Sequence, residues 1–354
     1  MKFKKFLLTI PVGILTLPII SISCSKEIKS ENSVDVIDTS SIERKVRINA
    51  KNIAIPGRSG IGMLIAFGLG DRISGVYKST LDNQWINKIY PNSKKYTKLQ
   101  YSPNKEEYLA QGYDLVIAPD PIVANSVIEA GMSSMVISQY HQPTYDDFIT
   151  LYPEILTKIF TDTQVKNKVN TWINELNQII LEIKEKLSNK EIIKKVWYVR
   201  GDKNKGVTYT ESGQDTLLSS IMRILKVYYV PGEFTIENNV ATKEQLLKDN
   251  ADYYLFGGKF QNENINALKS DETFSSLKAV RQNNLINIPL GVIPFEQIGV
   301  ELKIFIAYLA NEFWPEIFNF DIRSMLKNTY KTYYNYDLAD DEITKILSGI
   351  QPNA

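Results

Sequence analysis

Two features of the sequence invite a reading in terms of covalent or metal chemistry. Gly57-Arg-Ser-Gly-Ile-Gly62 follows an apolar segment and opens a helix-like run, the setting of a nucleophilic serine or a phosphate-cradling loop. The spacing fits neither. The fifth position is Ile61 where a nucleophile elbow has glycine, and the Gly-Lys-Ser/Thr ending of a phosphate loop is missing. The second feature is His141, the single histidine of the chain. It would have to complete any triad alone, and it cannot build the cluster of imidazoles and carboxylates that holds a bare divalent cation. No catalytic residue, resident metal or cofactor is expected. A surface hydrolase acting through Ser59 and an adhesion lipoprotein without a cleft are the competing classes.

The chain also has one cysteine, Cys24. Lys2, Lys4 and Lys5 precede an apolar run, Phe6 to Ile22, that is broken by Pro11, Gly13 and Pro18. This is short for a spanning helix and has the flanks of a secretory signal. Ile20-Ser-Ile-Ser-Cys24 resembles a lipobox, with Ser21 where leucine is usual. Lipidation at Cys24 is the expected consequence, because an acylated thiol is no longer a free reactive group outside the cell. Residues 1–23 read as signal and 24–45, polar and Ser-rich, as a flexible lipid-anchored tether. The expected location is the extracytoplasmic face of the cell membrane.

Composition sets the frame for the rest. Hydrophobic residues make up 44% and aromatics 11% of 354 residues, enough for a large core. Loss of residues 1–23 leaves 38 basic against 40 acidic side chains, which gives no support for nucleic-acid binding.

From residue 52 apolar strands alternate with helices. Strands are predicted at 52–56, 74–77, 114–118, 135–138, 195–200, 227–230, 252–256 and 285–289. Helices are predicted at 60–69, 105–111, 122–130, 215–226, 242–248 and 271–282. Unbroken apolar strands in that alternation imply parallel sheets with both faces covered. One long helix, 161–188, interrupts the rhythm. Val165, Val169, Trp172, Leu176, Ile179, Ile183 and Leu187 form a single stripe along it, suited to a rigid connector rather than a dimerising coiled coil. An internal echo supports two like halves. Glu106 begins a short helix eight residues before Asp114, which opens a strand; Glu244 stands in the same relation to Asp252. The expected fold is α/β, with two Rossmann-like lobes, each around a mostly parallel sheet, joined by one long α-helix.

Several stretches carry a family likeness: Ile65–Val76, Glu106–Ala118, Thr242–Phe256, Leu277–Pro289, Phe313–Phe318 and Tyr333–Leu347. In their order and spacing they resemble the class III substrate-binding proteins of ABC importers, which capture ferric siderophores, haem and cobalamin. The resemblance spans Asn52 to Leu347. It implies a first lobe over 46–155, a connecting helix within 156–190 and a second lobe with closing helices over 191–354. It also implies a monomer with ABC permease and ATPase subunits as partners. One glutamate per lobe would dock on permease arginines. Glu106 and Glu244 stand at the matching places, with Glu107 an alternative to the first. The ligand is expected between the lobes, at loops following the carboxyl ends of strands. Arg58, Tyr140 and His141 follow first-lobe strands; Arg200 and Tyr209 follow the first strand of the second lobe. Guanidinium and phenol groups suit an anionic, oxygen-rich iron chelate such as a ferric siderophore or haem, with cobalamin or molybdate as alternatives. Trp85 and Tyr101 are rim or packing aromatics in this reading.

Overall fold

Short runs such as Leu115–Ala118 and Val196–Val199 are buried along their whole length, which only a sheet covered on both faces allows. The computed structural model describes residues 32–102, 104–138, 145–202, 204–214, 216–233 and 239–353. It begins with an antiparallel hairpin, β1 (Ser33–Ile37) and β2 (Glu43–Arg47). The flexible tether expected through residue 45 is corrected here: from Ser33 the chain is folded onto the first lobe. Asp38, buried in the hairpin turn, accepts from Arg44 Nε and from the backbone N–H of Val136 at 2.8 Å.

The first lobe holds β3 (Ile53–Ile55), β4 (Ile73–Tyr77), β5 (Thr97–Leu99), β6 (Leu115–Ala118) and β7 (Ser134–Val136). All pair in parallel, in the order β5-β4-β3-β6-β7. The second lobe holds β8 (Lys195–Val199), β9 (Tyr228–Tyr229), β10 (Tyr253–Phe256) and β11 (Leu285–Asn287), again parallel, in the order β11-β10-β8-β9. The eight predicted parallel strands are all present. β5 is an additional edge strand of the first lobe; without it the two sheets have the same topology.

This equivalence explains the sequence echo. Asp114 precedes β6 and its carboxylate accepts the N–H groups of Lys51 at 3.0 Å and Asn52 at 2.9 Å, just ahead of β3. Asp252 precedes β10 and accepts the N–H of Lys195 at 2.7 Å, where β8 begins. Each aspartate thus fixes the start of its lobe's first strand to the neighbouring strand, the repeated structural task that the repeated residue performs.

The long helix runs Thr163–Lys186 and is roughly 36 Å in length. Its stripe is buried at Val165, Val169, Trp172, Leu176, Ile183 and the following Leu187, with Ile180 taking the place expected of Ile179. A second helix, Leu302–Phe313, packs against it and is apolar nearly all round, so no amphipathic period marks it in the sequence. Its one buried cation, Lys303, pairs with Glu175 of the long helix. These two helices and one face of each sheet share the largest apolar cluster, while smaller clusters line the outer faces. The end of the chain is shared by both lobes rather than belonging to the second alone. Trp85 Nε1 donates to Ile350 O at 2.8 Å and Lys88 pairs with Glu342.

Candidate ligand-binding cleft

In parallel α/β sheets the crevice for a ligand opens beyond the carboxyl ends of the strands, where successive connections leave in opposite directions. In the first lobe that point lies between β3 and β6. In the second it lies between β8 and β10. Asn83, on the chain leaving β4, donates through Nδ2 to the carbonyls of Gly291 and Val292, both at 2.9 Å, on the chain leaving β11. Gly62 rests against Ile293; a Cβ there would stand 3.3 Å from it. These contacts join the segments that leave the carboxyl ends of the two sheets.

Arg58 follows β3 and is exposed, with its guanidinium 5.8 Å from the centre of the Tyr77 ring at the end of β4. Tyr77 in turn meets Tyr101 edge-on, at 6.2 Å between ring centres. Tyr101 donates its hydroxyl to Asp120 Oδ2 at 2.8 Å, and Asp120 Oδ1 accepts the N–H of Val123, capping the helix Pro121–Glu129. Burial first, and the neighbouring Asp120 second, push the Tyr101 phenol up to about 12, so it remains a donor at neutral pH. The end of β4 and the loops after β3, β5 and β6 thus supply one cation, two phenols and one carboxylate to a single patch.

The second lobe repeats the theme. Arg200 follows β8 and lies 5.4 Å from the centre of the Tyr209 ring, while its N–H donates to Tyr209 O at 2.7 Å. Lys205 approaches the same ring at 4.2 Å. Gly258, in the left-handed region at φ +74, comes so close to Arg200 that a Cβ would stand 2.6 Å from its carbonyl oxygen. Beneath these loops Glu296 is buried, and burial above all raises its carboxyl to about 7. Among the described residues no group of three or more His, Cys, Asp or Glu is placed to hold a metal ion, and no helix is long and apolar enough to cross a membrane.

Residues 114–290, half of the chain, match the model of a periplasmic binding protein family. The chain belongs to that family. As a member it is a substrate-binding protein of the kind that serves ABC importers. Solved structures of the same fold include a periplasmic solute binding protein from Veillonella parvula, at 21% identity and TM-score 0.69, covering 89% of this chain and 97% of that one. Helicobacter pylori CeuE with Ni(II) bound aligns at 16% identity and TM-score 0.69, over 89% and 99%. Haemophilus influenzae MolA bound to molybdate aligns at 12% identity and TM-score 0.72, over 86% and 99%. Comparison with curated protein sequences returns no match.

The structure brings Arg58 and Tyr101 into one patch, and Arg200 and Tyr209 into another. Trp85 is a fully buried packing residue beneath the chain's last turn. Cys24, Tyr140 and His141 lie outside the described residues. Glu106 and Glu107 are exposed in the first turn of the helix Lys105–Ala110, both N–H groups capped by Asn104 Oδ1. Glu244 is exposed in the first turn of the helix Lys243–Asp249, capped by Thr242. The two helices precede the equivalent strands β6 and β10. Sequence reasoning passed over Tyr77, Asp120 and Glu296. The same strand-end rule that selected Arg58 would have found the first two. Glu296 carries no local signal, since the strands it lies beside are far away in sequence.

Proposed function

We propose that this substrate-binding protein captures an anionic, oxygen-rich metal complex, a ferric siderophore or haem, between its lobes and delivers it to the permease of an ABC importer. The support is the repeated arrangement: one arginine held over a tyrosine ring at the switch point of each sheet. A guanidinium offers forked donors to carboxylate, catecholate or hydroxamate oxygens, and the aromatic faces cover apolar parts of the chelate. Arg58, Tyr77 and Tyr101 act from the first lobe and Arg200 and Tyr209 from the second, with Tyr140 and His141 as further ligand contacts. The metal is cargo and arrives already chelated.

In this reading Cys24 carries the lipid that holds the protein at the extracytoplasmic membrane surface, and the tether, shortened by the hairpin, ends near residue 32. Glu106 and Glu244, one per lobe, dock on cationic side chains of the permease, where exposed carboxylates steer association. The long helix, packed along a core common to both lobes, limits closure to a modest movement. A thermal-shift panel of ferric siderophores, haem, cobalamin and molybdate tests the ligand class. A saturable shift with an iron complex is expected. A shift with molybdate or cobalamin alone would replace the proposed ligand.

A further inference from the structure

The proposed ligand contacts leave one buried group of the cleft without a task. Glu296, 7% exposed, stands on the segment between β11 and the helix Leu302–Phe313. Its Oε1 lies at the end of β10: a Cβ on Gly257 would stand 2.9 Å from it and 2.7 Å from the Tyr198 hydroxyl. The backbone N–H of Gly258 donates to the carboxylate. Its Oε2 is buried with no hydrogen-bond partner among the described residues. The groups facing it are Arg200 at the end of β8, Glu211 on the loop beyond, and the Tyr198 phenol of β8.

Burial holds the Glu296 carboxyl near 7, the negative charge of Glu211 adds to that, and Arg200 with the backbone donors opposes it. A negatively charged ligand atom placed beside Arg200 would disfavour the ionised carboxylate further. The proton moves from solvent to the carboxylate, and the neutral acid removes the repulsion between Glu296 and the charge that the ligand brings beside Arg200.

We propose that Glu296 is a specificity-determining residue of the cleft, taking up one proton as an anionic, oxygen-bearing ligand settles against Arg200. The proposal rests on the ligand class inferred above. Capture of an anion is then favoured in mild acid and weakens as pH rises through neutrality, whereas capture of a neutral complex has no such dependence.

The test is calorimetric titration at pH 6.5–8.5, in buffers of differing ionisation enthalpy, with a hexadentate ferric tris-catecholate as anionic probe and a neutral ferric tris-hydroxamate beside it. The native protein should take up a fraction of a proton that approaches one above neutrality, and its affinity for the catecholate should fall by up to about tenfold per pH unit. Glu296→Gln, an isostere of the protonated side chain, should show a flat profile, no proton uptake, and at pH 8.5 tighter binding than the native protein. A purely structural role would instead weaken binding alike at every pH. If Glu296→Gln fails to fold, Glu211→Gln decides: loss of its repulsion should move the midpoint to lower pH. Catecholate binding without proton uptake, an unchanged slope in Glu296→Gln, or an unmoved midpoint in Glu211→Gln overturns the assignment while leaving the ligand class standing. Failure of both probes to bind refutes a ferric siderophore as the ligand and this assignment with it.

Discussion

Removal of the charge at Asp38 should loosen the N-terminal hairpin and the strand beside it by an amount the structure allows to be estimated. The Asp38 carboxylate accepts from Arg44 Nε, Ser40 N at 2.9 Å, Ser40 Oγ, Ile42 N at 3.4 Å and Val136 N at 2.8 Å. Its side chain is 0% exposed and that of Arg44 is 4% exposed, so neither charge has water to fall back on. Asp38→Asn keeps the shape, strands the guanidinium and turns a donor toward other donors. Breaking one side of such a buried pair costs about 3–5 kcal/mol. Because Thr39 also binds Val136 O and receives the N–H of Ser138, the loss should appear at β7. Hydrogen exchange on a peptide covering 134–138 is the assay: if local opening governs exchange, about 3 kcal/mol accelerates it roughly 150-fold, with β3 unchanged. The double variant Asp38→Asn/Arg44→Met should recover most of that protection, because the stranded charge is gone. Acceleration below about threefold, or a double variant no better than the single, would refute the reasoning.

Two further expectations follow from the charged groups. The charge reversal Glu106→Lys/Glu244→Lys should abolish uptake in reconstituted vesicles while ligand affinity in solution stays within twofold; a parallel loss of affinity would contradict a docking role. Glu301, fully buried at the start of the helix Leu302–Phe313, has its carboxyl raised by burial to about 7 from 4.5. The unfolded chain therefore ionises first as pH rises, and stability that is fully present below 4.5 is lost up to pH 7, by roughly 3 kcal/mol. Glu301→Gln keeps the acceptor for Tyr334 Oη and should remove that share of the pH dependence in denaturant melts between pH 5 and 8; an unchanged slope would refute the assignment.

The predicted parallel strands were legible as short apolar runs between helices, and β3, β6, β7 and most of β8 are buried on both faces. β5 was not, since Thr-Lys-Leu pairs only along one edge and buries one side chain of three. The hairpin escaped for a different reason. Its sequence, SVDVIDTSSIERKVR, is polar and reads as a spacer, and what holds it is an ion pair fitted against a strand nearly a hundred residues away. The helix Leu302–Phe313 was hidden by its own burial, which erases the period that marks an amphipathic helix. At the cleft, Arg58 and Arg200 could be read because each lies where a strand ends. Their aromatic partners divide: Tyr209 was found in the loop, whereas Tyr77 was counted as strand and its ring overlooked. Glu296 depends wholly on tertiary contact.

Calorimetric titration of the iron complex that gives the strongest thermal shift, into the native protein, Arg58→Ala, Arg200→Ala and the double variant, tests the claim that the ligand sits between the two arginine-bearing lobes. Each arginine makes charge-assisted hydrogen bonds to the ligand in this account, so each substitution should weaken binding by about 1.5–3 kcal/mol, roughly 10- to 150-fold. The double variant should bind more weakly than either single, with the fold and melting temperature kept. A double variant that binds within threefold of the native protein would contradict the placement of the ligand between the lobes.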